Sequence, residues 1–395
     1  MNFDLTIDRS CTACHKWDNV PAVFGVPDAL PMWVADMDFA APPAVLEALH
    51  RRVEHGVFGY TFPTESYQEA IAEWMQSRHS WSIQKDWIQF CPGVVPALSL
   101  IVDAFTEPGD QVVIQTPVYP PFHSVVKDQE RELVLNPLIR GEDGDYAMDF
   151  EDLEKSLAGG RVKMLILCSP HNPVGRVWRR EELERLADLC RQYDVLVVSD
   201  EIHADLIFEQ GSHTPFAALS DDAASRSIIC TAPSKTFNIA GMNTANMIIP
   251  NEQLRRTFRK VLNRYHIGSI TPLGAVATEA AYREGGPWLD ELLVYIRGNM
   301  ELVANYIREH LPELSVALPE ATYLLWIDFR SLGMEHDKLN RFLVEEAKLG
   351  LNSGATFGKD GEGFMRMNVA CTRATVEEAM SRLHNAIRQW REMRK

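Results

Sequence analysis

The chain has 395 residues, 46% apolar and 24% charged, with a formal net charge of −16 at pH 7. At roughly 100–200 residues per domain this predicts two or three domains with a sizeable core, and it excludes wholesale disorder. The acidic balance excludes a nucleic-acid partner, and no run approaches the ~18 consecutive apolar residues of a membrane span, so no membrane association is expected either.

In chain order, Met1-Asn2-Phe3-Asp4-Leu5 carries acid in place of base and lacks an apolar stretch, so no secretory signal is expected and the location is read as cytoplasmic. Seven cysteines, an odd number, then read as reduced thiols. Cys11-Thr12-Ala13-Cys14-His15 matches the C-x-x-C-H haem-attachment pattern. Three fixed identities in five residues are a weak signal, and such attachment needs an export route, so neither haem nor metal is expected. Asp36 to Pro43 is an irregular stretch, followed by a helix from about Ala44 to Glu54.

The middle of the chain alternates short apolar runs with amphipathic segments. Val112-Val113-Ile114, Met164-Leu165-Ile166-Leu167, Val195-Leu196-Val197-Val198 and Ile228-Ile229 read as strands buried on both faces, hence a mainly parallel sheet. Cys168 and Cys230, at the ends of two such runs, read as small core residues. Between the runs, Glu181 to Tyr193 sets Leu183, Leu186, Ala187 and Cys190 on one helical face, with Glu181 and Glu182 in the first turn. The basic run Arg255, Arg256, Arg259, Lys260, Arg264 reads as a solvated helix face. Gly285-Gly286-Pro287 breaks the pattern and a long helix begins near Trp288. Tyr323 to Phe329 alternates as a half-buried antiparallel strand does. The predicted fold is α/β: a large central domain over residues 46–285, and a smaller α+β domain over 286–395 joined by the arm 1–45.

In open parallel sheets ligands collect at the carboxyl ends of the strands. Here Leu167 is followed by Cys168-Ser169-Pro170-His171-Asn172-Pro173, Val198 by Ser199-Asp200-Glu201-Ile202-His203, and Cys230 by Thr231-Ala232-Pro233-Ser234-Lys235-Thr236. Singly, Asn172 is a turn residue, Asp200 a helix cap and Lys235 a surface lysine. Together, an amide, a carboxylate and an amine at three consecutive strand ends suit pyridoxal phosphate. Its aldehyde takes a lysine as a Schiff base, and its ring nitrogen needs an acidic partner to stay protonated.

Ser169-Pro-His-Asn-Pro-Val-Gly175, Asp200-Glu-Ile-His203 and Pro233-Ser-Lys-Thr-Phe-Asn-Ile-Ala-Gly241 resemble the motifs of the fold-type I pyridoxal-phosphate enzymes, the class I/II aminotransferase superfamily. The likeness runs from Met32-Trp33-Val34-Ala35-Asp36-Met37-Asp38-Phe39 to Arg366-Met367-Asn368-Val369. The first of these segments, Pro92-Gly-Val-Val95, Pro117-Val-Tyr-Pro-Pro-Phe122 and His203 in place of tyrosine are most similar to the cystathionine β-lyase-like C–S lyases of the MalY/PatB type. That resemblance implies an aspartate aminotransferase-like fold, pyridoxal 5'-phosphate as cofactor, and a homodimer with shared active sites. It assigns Lys235 to the Schiff base, Asp200 to the ring nitrogen, Asn172 and His203 to the phenolic oxygen, and Tyr119 to the stacked ring. By the same resemblance Gly93, Val94 and Val95 are expected to hold the phosphate at a helix N-terminus, with Ser234 beside it. It likewise implies that Tyr60 reaches the neighbouring subunit's phosphate, that Arg366 clamps the substrate α-carboxylate, and that Trp33 and Asp36 lie on the substrate side. Two positions depart from the transaminating relatives: Asn243, eight after the lysine, stands for arginine, and Ala232 for serine.

The implied reaction is α,β-elimination from an S-substituted L-cysteine such as cystathionine, to a thiol, pyruvate and ammonia. Lys235 is the general base in this scheme. Two alternatives stay open: an amino-acid aminotransferase, which shares the early steps, and a regulatory protein that retains the cofactor site.

Overall fold

The computed structural model describes residues 1–209 and 211–393. Seven strands form the main sheet, in the spatial order Ile88–Cys91, Ala245–Ile248, Ser227–Thr231, Leu196–Asp200, Val162–Cys168, Gln111–Ile114, Glu132–Leu135. All neighbours run parallel except Ala245–Ile248, which is antiparallel to both of its partners. The apolar runs are continuous because both faces are covered. Val113, Leu165, Val197 and Ile229 face one side with Trp178, Leu183 and Leu186. Val112, Ile114, Met164, Ile166, Val198 and Ile228 face the other with Leu98, Ile101 and Phe258.

Helix boundaries follow local chemistry. Thr64 caps Glu65–His79 by accepting the Tyr67 amide, Asn251 caps Glu252–Arg264, and Thr271 with Pro272 opens Pro272–Glu284. The expected helices appear at Pro43–Glu54 and Arg180–Gln192, and the long one starts two residues early, at Gly286–His310. A Cβ on Gly285 would lie 2.4 Å from the Ala281 carbonyl oxygen and 2.5 Å from the Phe237 ring, so this junction admits only glycine.

A second, antiparallel sheet runs Ser315–Val316, Leu324–Asp328, Phe364–Asn368, Asn352–Ser353. The N-terminal arm joins it through Leu30–Pro31, which pairs with Leu349–Gly350. A buried ion network pins the same arm: Lys16 to Asp38 at 2.8 Å, and Arg9 to Asp36 and Asp38 at 2.6 Å each.

Two expectations are corrected. Leu324–Asp328 is buried on both faces, because Trp326 stacks on Phe364 and donates to the Tyr146 hydroxyl. The basic run is not uniformly solvated either. Arg255 is buried, donating to the Ile249 carbonyl at 2.9 Å and to Asp86 at 2.9 Å, while Arg256 remains exposed. All seven cysteines are free thiols, and Cys168 and Cys230 are core residues as expected. The amides of Cys11, Thr12 and Cys14 all point at the Asp18 carboxylate. Among the described residues no helix is long and apolar enough to cross a membrane.

Candidate active site

Register places the three predicted strand ends side by side: Cys168 opposite Asp200, and Asp200 opposite Cys230. The chain leaves these ends over a cavity of about 400 Å3. Gly93, Val94, Val95, Tyr119, Asn172, Asp200, His203, Ser234 and Lys235 all line it, together with Ala35, Asn243 and Thr244.

Lys235 sits in the short helix Pro233–Thr236, which follows directly on Ser227–Thr231. Its amine donates to the Ala35 carbonyl at 2.6 Å. Burial, and then the Arg366 guanidinium, bring the amine down to about 8, so roughly a tenth is unprotonated at pH 7, far more than for an ordinary lysine. Asp200 ends Leu196–Asp200, and its Oδ1 accepts the Ile202 amide at 3.1 Å. Burial pushes this carboxyl up to about 7, with Glu201 acting in the same direction. Lys235 pulls the other way but does not offset burial, so this carboxyl is one that a protonated ring nitrogen would stabilise in its ionised form.

Arg366 is buried on Phe364–Asn368. It donates to Asn172 Oδ1 at 3.1 Å, to the Trp33 carbonyl at 2.9 Å and to Asn352 Oδ1 at 2.7 Å. All three acceptors are neutral, its Nε is buried with no partner among the described residues, and burial lowers the guanidinium to about 10. It is therefore a charged group awaiting an anion. The same contact occupies the Asn172 oxygen and leaves the amide donors for another acceptor. Burial, then Lys235 and Arg366, take His203 down to about 3, so its imidazole is neutral. His171, whose Nε2 lies 2.8 Å from the Pro117 carbonyl, ties the Asn172 loop to the segment carrying Tyr119.

At the far side of the cavity Gly93 precedes Val94–Phe105, a helix whose N-terminus no side chain caps. Its first amides thus remain open to an anion. A Cβ on Gly93 would press on Pro96 at 3.3 Å. An uncapped helix end, a buried carboxyl and a buried amine around one cavity fit a ring bearing an aldehyde, a basic nitrogen and a phosphate.

Four predicted residues are not among those lining the cavity: Arg366 meets it only through its bond to Asn172, and the other three turn their side chains elsewhere. The Trp33 indole packs on His15 and Phe24 and donates to the Lys16 carbonyl at 3.0 Å, so only its own carbonyl reaches Arg366. The Asp36 carboxylate pairs with Arg9. Tyr60 is fully exposed beside exposed Phe58 and Phe62. Conversely, the sequence reading missed Asp205, whose carboxylate takes Trp74 Nε1 at 2.9 Å, His79 Nε2 at 2.8 Å and Thr236 Oγ1 at 2.8 Å. Burial would raise Asp205; these bonds outweigh it and hold the carboxyl below its usual range, anchoring the Lys235 turn from behind. Its place five residues after Asp200 was the available signal.

The sequence matches the family described as Aminotransferase class I and II over residues 28–383. It is 49% identical to cystathionine beta-lyase PatB of Bacillus subtilis (strain 168), over 98% of this chain and 100% of that one. It is 37% identical to protein MalY of Escherichia coli (strain K12), over 98% and 99% respectively. The crystal structure of cystalysin from Treponema denticola, which contains a pyridoxal 5'-phosphate cofactor, superposes with a TM-score of 0.96 at 40% identity, covering 98% of this chain and 99% of that one.

Proposed function

The chain belongs to the class I and II aminotransferase family, and from that premise we propose that it is a pyridoxal-phosphate-dependent carbon–sulfur lyase of the cystathionine β-lyase type. The observation that carries the cofactor reading is the shared cavity of Lys235 and Asp200, at adjacent strand ends. The full-length similarity to PatB favours elimination over transamination.

When bound, pyridoxal phosphate supplies the electron sink for the electron pair left at the substrate Cα. In this proposal Lys235 anchors the cofactor and, once displaced by the substrate amine, accepts the Cα proton. Its lowered pKa suits it to that task near neutrality. Asp200, ionised, would hold the proton on the ring nitrogen. Asn172 and His203 would serve the phenolic oxygen, Tyr119 would stack on the ring, and Val94, Val95 and Ser234 would hold the phosphate. With Asn243 in place of arginine, the phosphate depends more on the helix amides. Arg366 exchanges a carbonyl partner for the substrate α-carboxylate. The Cα proton passes to Lys235, the Cβ–S bond breaks with its electron pair on sulfur, and released 2-aminoacrylate hydrolyses to pyruvate and ammonia.

The proposal extends to a cytoplasmic homodimer in which the exposed Tyr60 reaches the partner's phosphate site. It places the cofactor-binding domain over residues 46–285 and the smaller domain over 1–45 with 286–395.

Replacing Arg366 by alanine is expected to raise KM for the amino acid by roughly a hundredfold, since a buried charge-assisted contact is lost. An unchanged KM in steady-state assays counts against the clamp. The reaction itself is tested by incubating the holoenzyme with cystathionine and no keto acid. Pyruvate and ammonia should appear in equal amounts, whereas strict dependence on an added keto acid would make the protein an aminotransferase.

A further inference from the structure

The stretch around Ala35 has no regular structure, so side chains take most of its carbonyls, that of Val34 also accepting the Asp36 amide. Arg366 takes that of Trp33, and Asn368 Nδ2 takes those of Val34 and Asp36 at 2.6 Å each. Arg9 and Asn238 take that of Met37. The Ala35 carbonyl alone receives both a lysine amine and a phenol: Lys235 Nζ at 2.6 Å and the Tyr323 hydroxyl at 2.9 Å. A carbonyl oxygen has two lone pairs, and here both are used.

Tyr323 is held for this contact. Its ring is fully buried and meets His203 edge-on at 6.3 Å. The preceding Thr322 has φ +73°, an outlier for a β-branched residue. That conformation persists because its amide donates to the Leu206 carbonyl at 2.7 Å and its hydroxyl accepts the Leu324 amide at 3.2 Å. Burial lifts the phenol far above its usual range, so the hydroxyl stays a donor.

The two donors on Ala35 differ in one respect. Lys235 must leave the carbonyl when its nitrogen is joined to the cofactor; Tyr323 has no reason to leave. We propose that Tyr323 is a positioning residue, keeping the Ala35 carbonyl bonded while Lys235 is engaged and so lowering the cost of that engagement. The inference rests on Lys235 being the lysine that holds the cofactor. Without the hydroxyl, the free-lysine state keeps one donor on the carbonyl and the engaged state keeps none. The loss therefore falls on the engaged state, and cofactor affinity drops while the apo fold does not.

The test uses Tyr323→Phe, which preserves the ring. Titration of apo-protein with pyridoxal phosphate, followed by absorbance, should give a Kd roughly ten- to a hundredfold weaker than wild type, the effect of leaving a buried carbonyl unpaired. The apo thermal midpoint should stay close to wild type. A cofactor-free check uses Lys235→Met: the double variant should lose more thermal stability than the two single changes summed, because each donor covers for the other. An unchanged Kd, or strictly additive midpoints, overturns the proposal. So does a Tyr323→Phe chain that fails to fold, since Lys235 should then suffice. If wild type takes up the cofactor and the variant does so equally well, only the role of Tyr323 falls. If wild type takes up none, the proposed function falls as well.

Discussion

Substituting Lys235 by alanine is expected to abolish the visible absorption of the lysine-bound cofactor and to lower turnover by roughly four orders of magnitude. Both effects trace to one atom. Among the described residues the Lys235 amine is the only primary amine lining the cavity, and at a pKa of about 8 it is both a competent nucleophile and a competent base. Alanine offers neither function, and no other cavity group replaces it: His203 is neutral but too weak a base at about 3. The fold should survive, because the amine makes a single bond, to a carbonyl that Tyr323 also holds. Spectra and steady-state rates on the purified variant check this. Turnover within tenfold of wild type would remove Lys235 from the reaction.

Asp200→Ala should have the second largest effect, with a different character. The cofactor remains attached, since Lys235 and the amides after Gly93 are untouched, but kcat falls about a hundred- to a thousandfold. Carbanion formation depends on a protonated ring nitrogen, and in the proposed arrangement Asp200 is the buried carboxyl that keeps it so. The pKa of about 7 belongs to the cofactor-free chain. A raised carboxyl contributes stability that is present below the unfolded value and is lost as pH rises through 7. Bringing a cation to Asp200 removes that penalty, so ring binding and ionisation of Asp200 favour each other. Retained absorption with collapsed kcat is the expected pair of results, and near-normal kcat would contradict the assignment.

What the sequence reveals here follows from the geometry of parallel sheets. A strand buried on both faces reads as an unbroken apolar run, and the first polar residues after it must lie at the edge where ligands collect. Asn172, Asp200 and Lys235 are legible for that reason. Ala245–Ile248 is not, because it is short and carries Asn246, whose amide oxygen is satisfied by the distant Tyr67 hydroxyl. Arg255 is misread because charge spacing suggests solvent, whereas its guanidinium finds backbone carbonyls and Asp86. Trp33 shows a further limit: its motif is plain, yet the sequence does not distinguish an indole from the carbonyl of the same residue. Tyr323 and Asp205 act on groups remote in sequence; the five-residue spacing from Asp200 marks Asp205 as near the site, while nothing in the spacing marks the contact Tyr323 makes. Tyr323 reads as the first packing residue of a strand, while its hydroxyl serves a carbonyl from the N-terminal arm.

The most direct measurement is uptake of pyridoxal phosphate by the apo-protein, then borohydride reduction and peptide mapping. A single pyridoxyl group on Lys235, absent from the Lys235→Ala variant, is the predicted result. A colourless protein that takes up no cofactor, or a label on another lysine, would contradict the assignment of Lys235 and Asp200 to one ring.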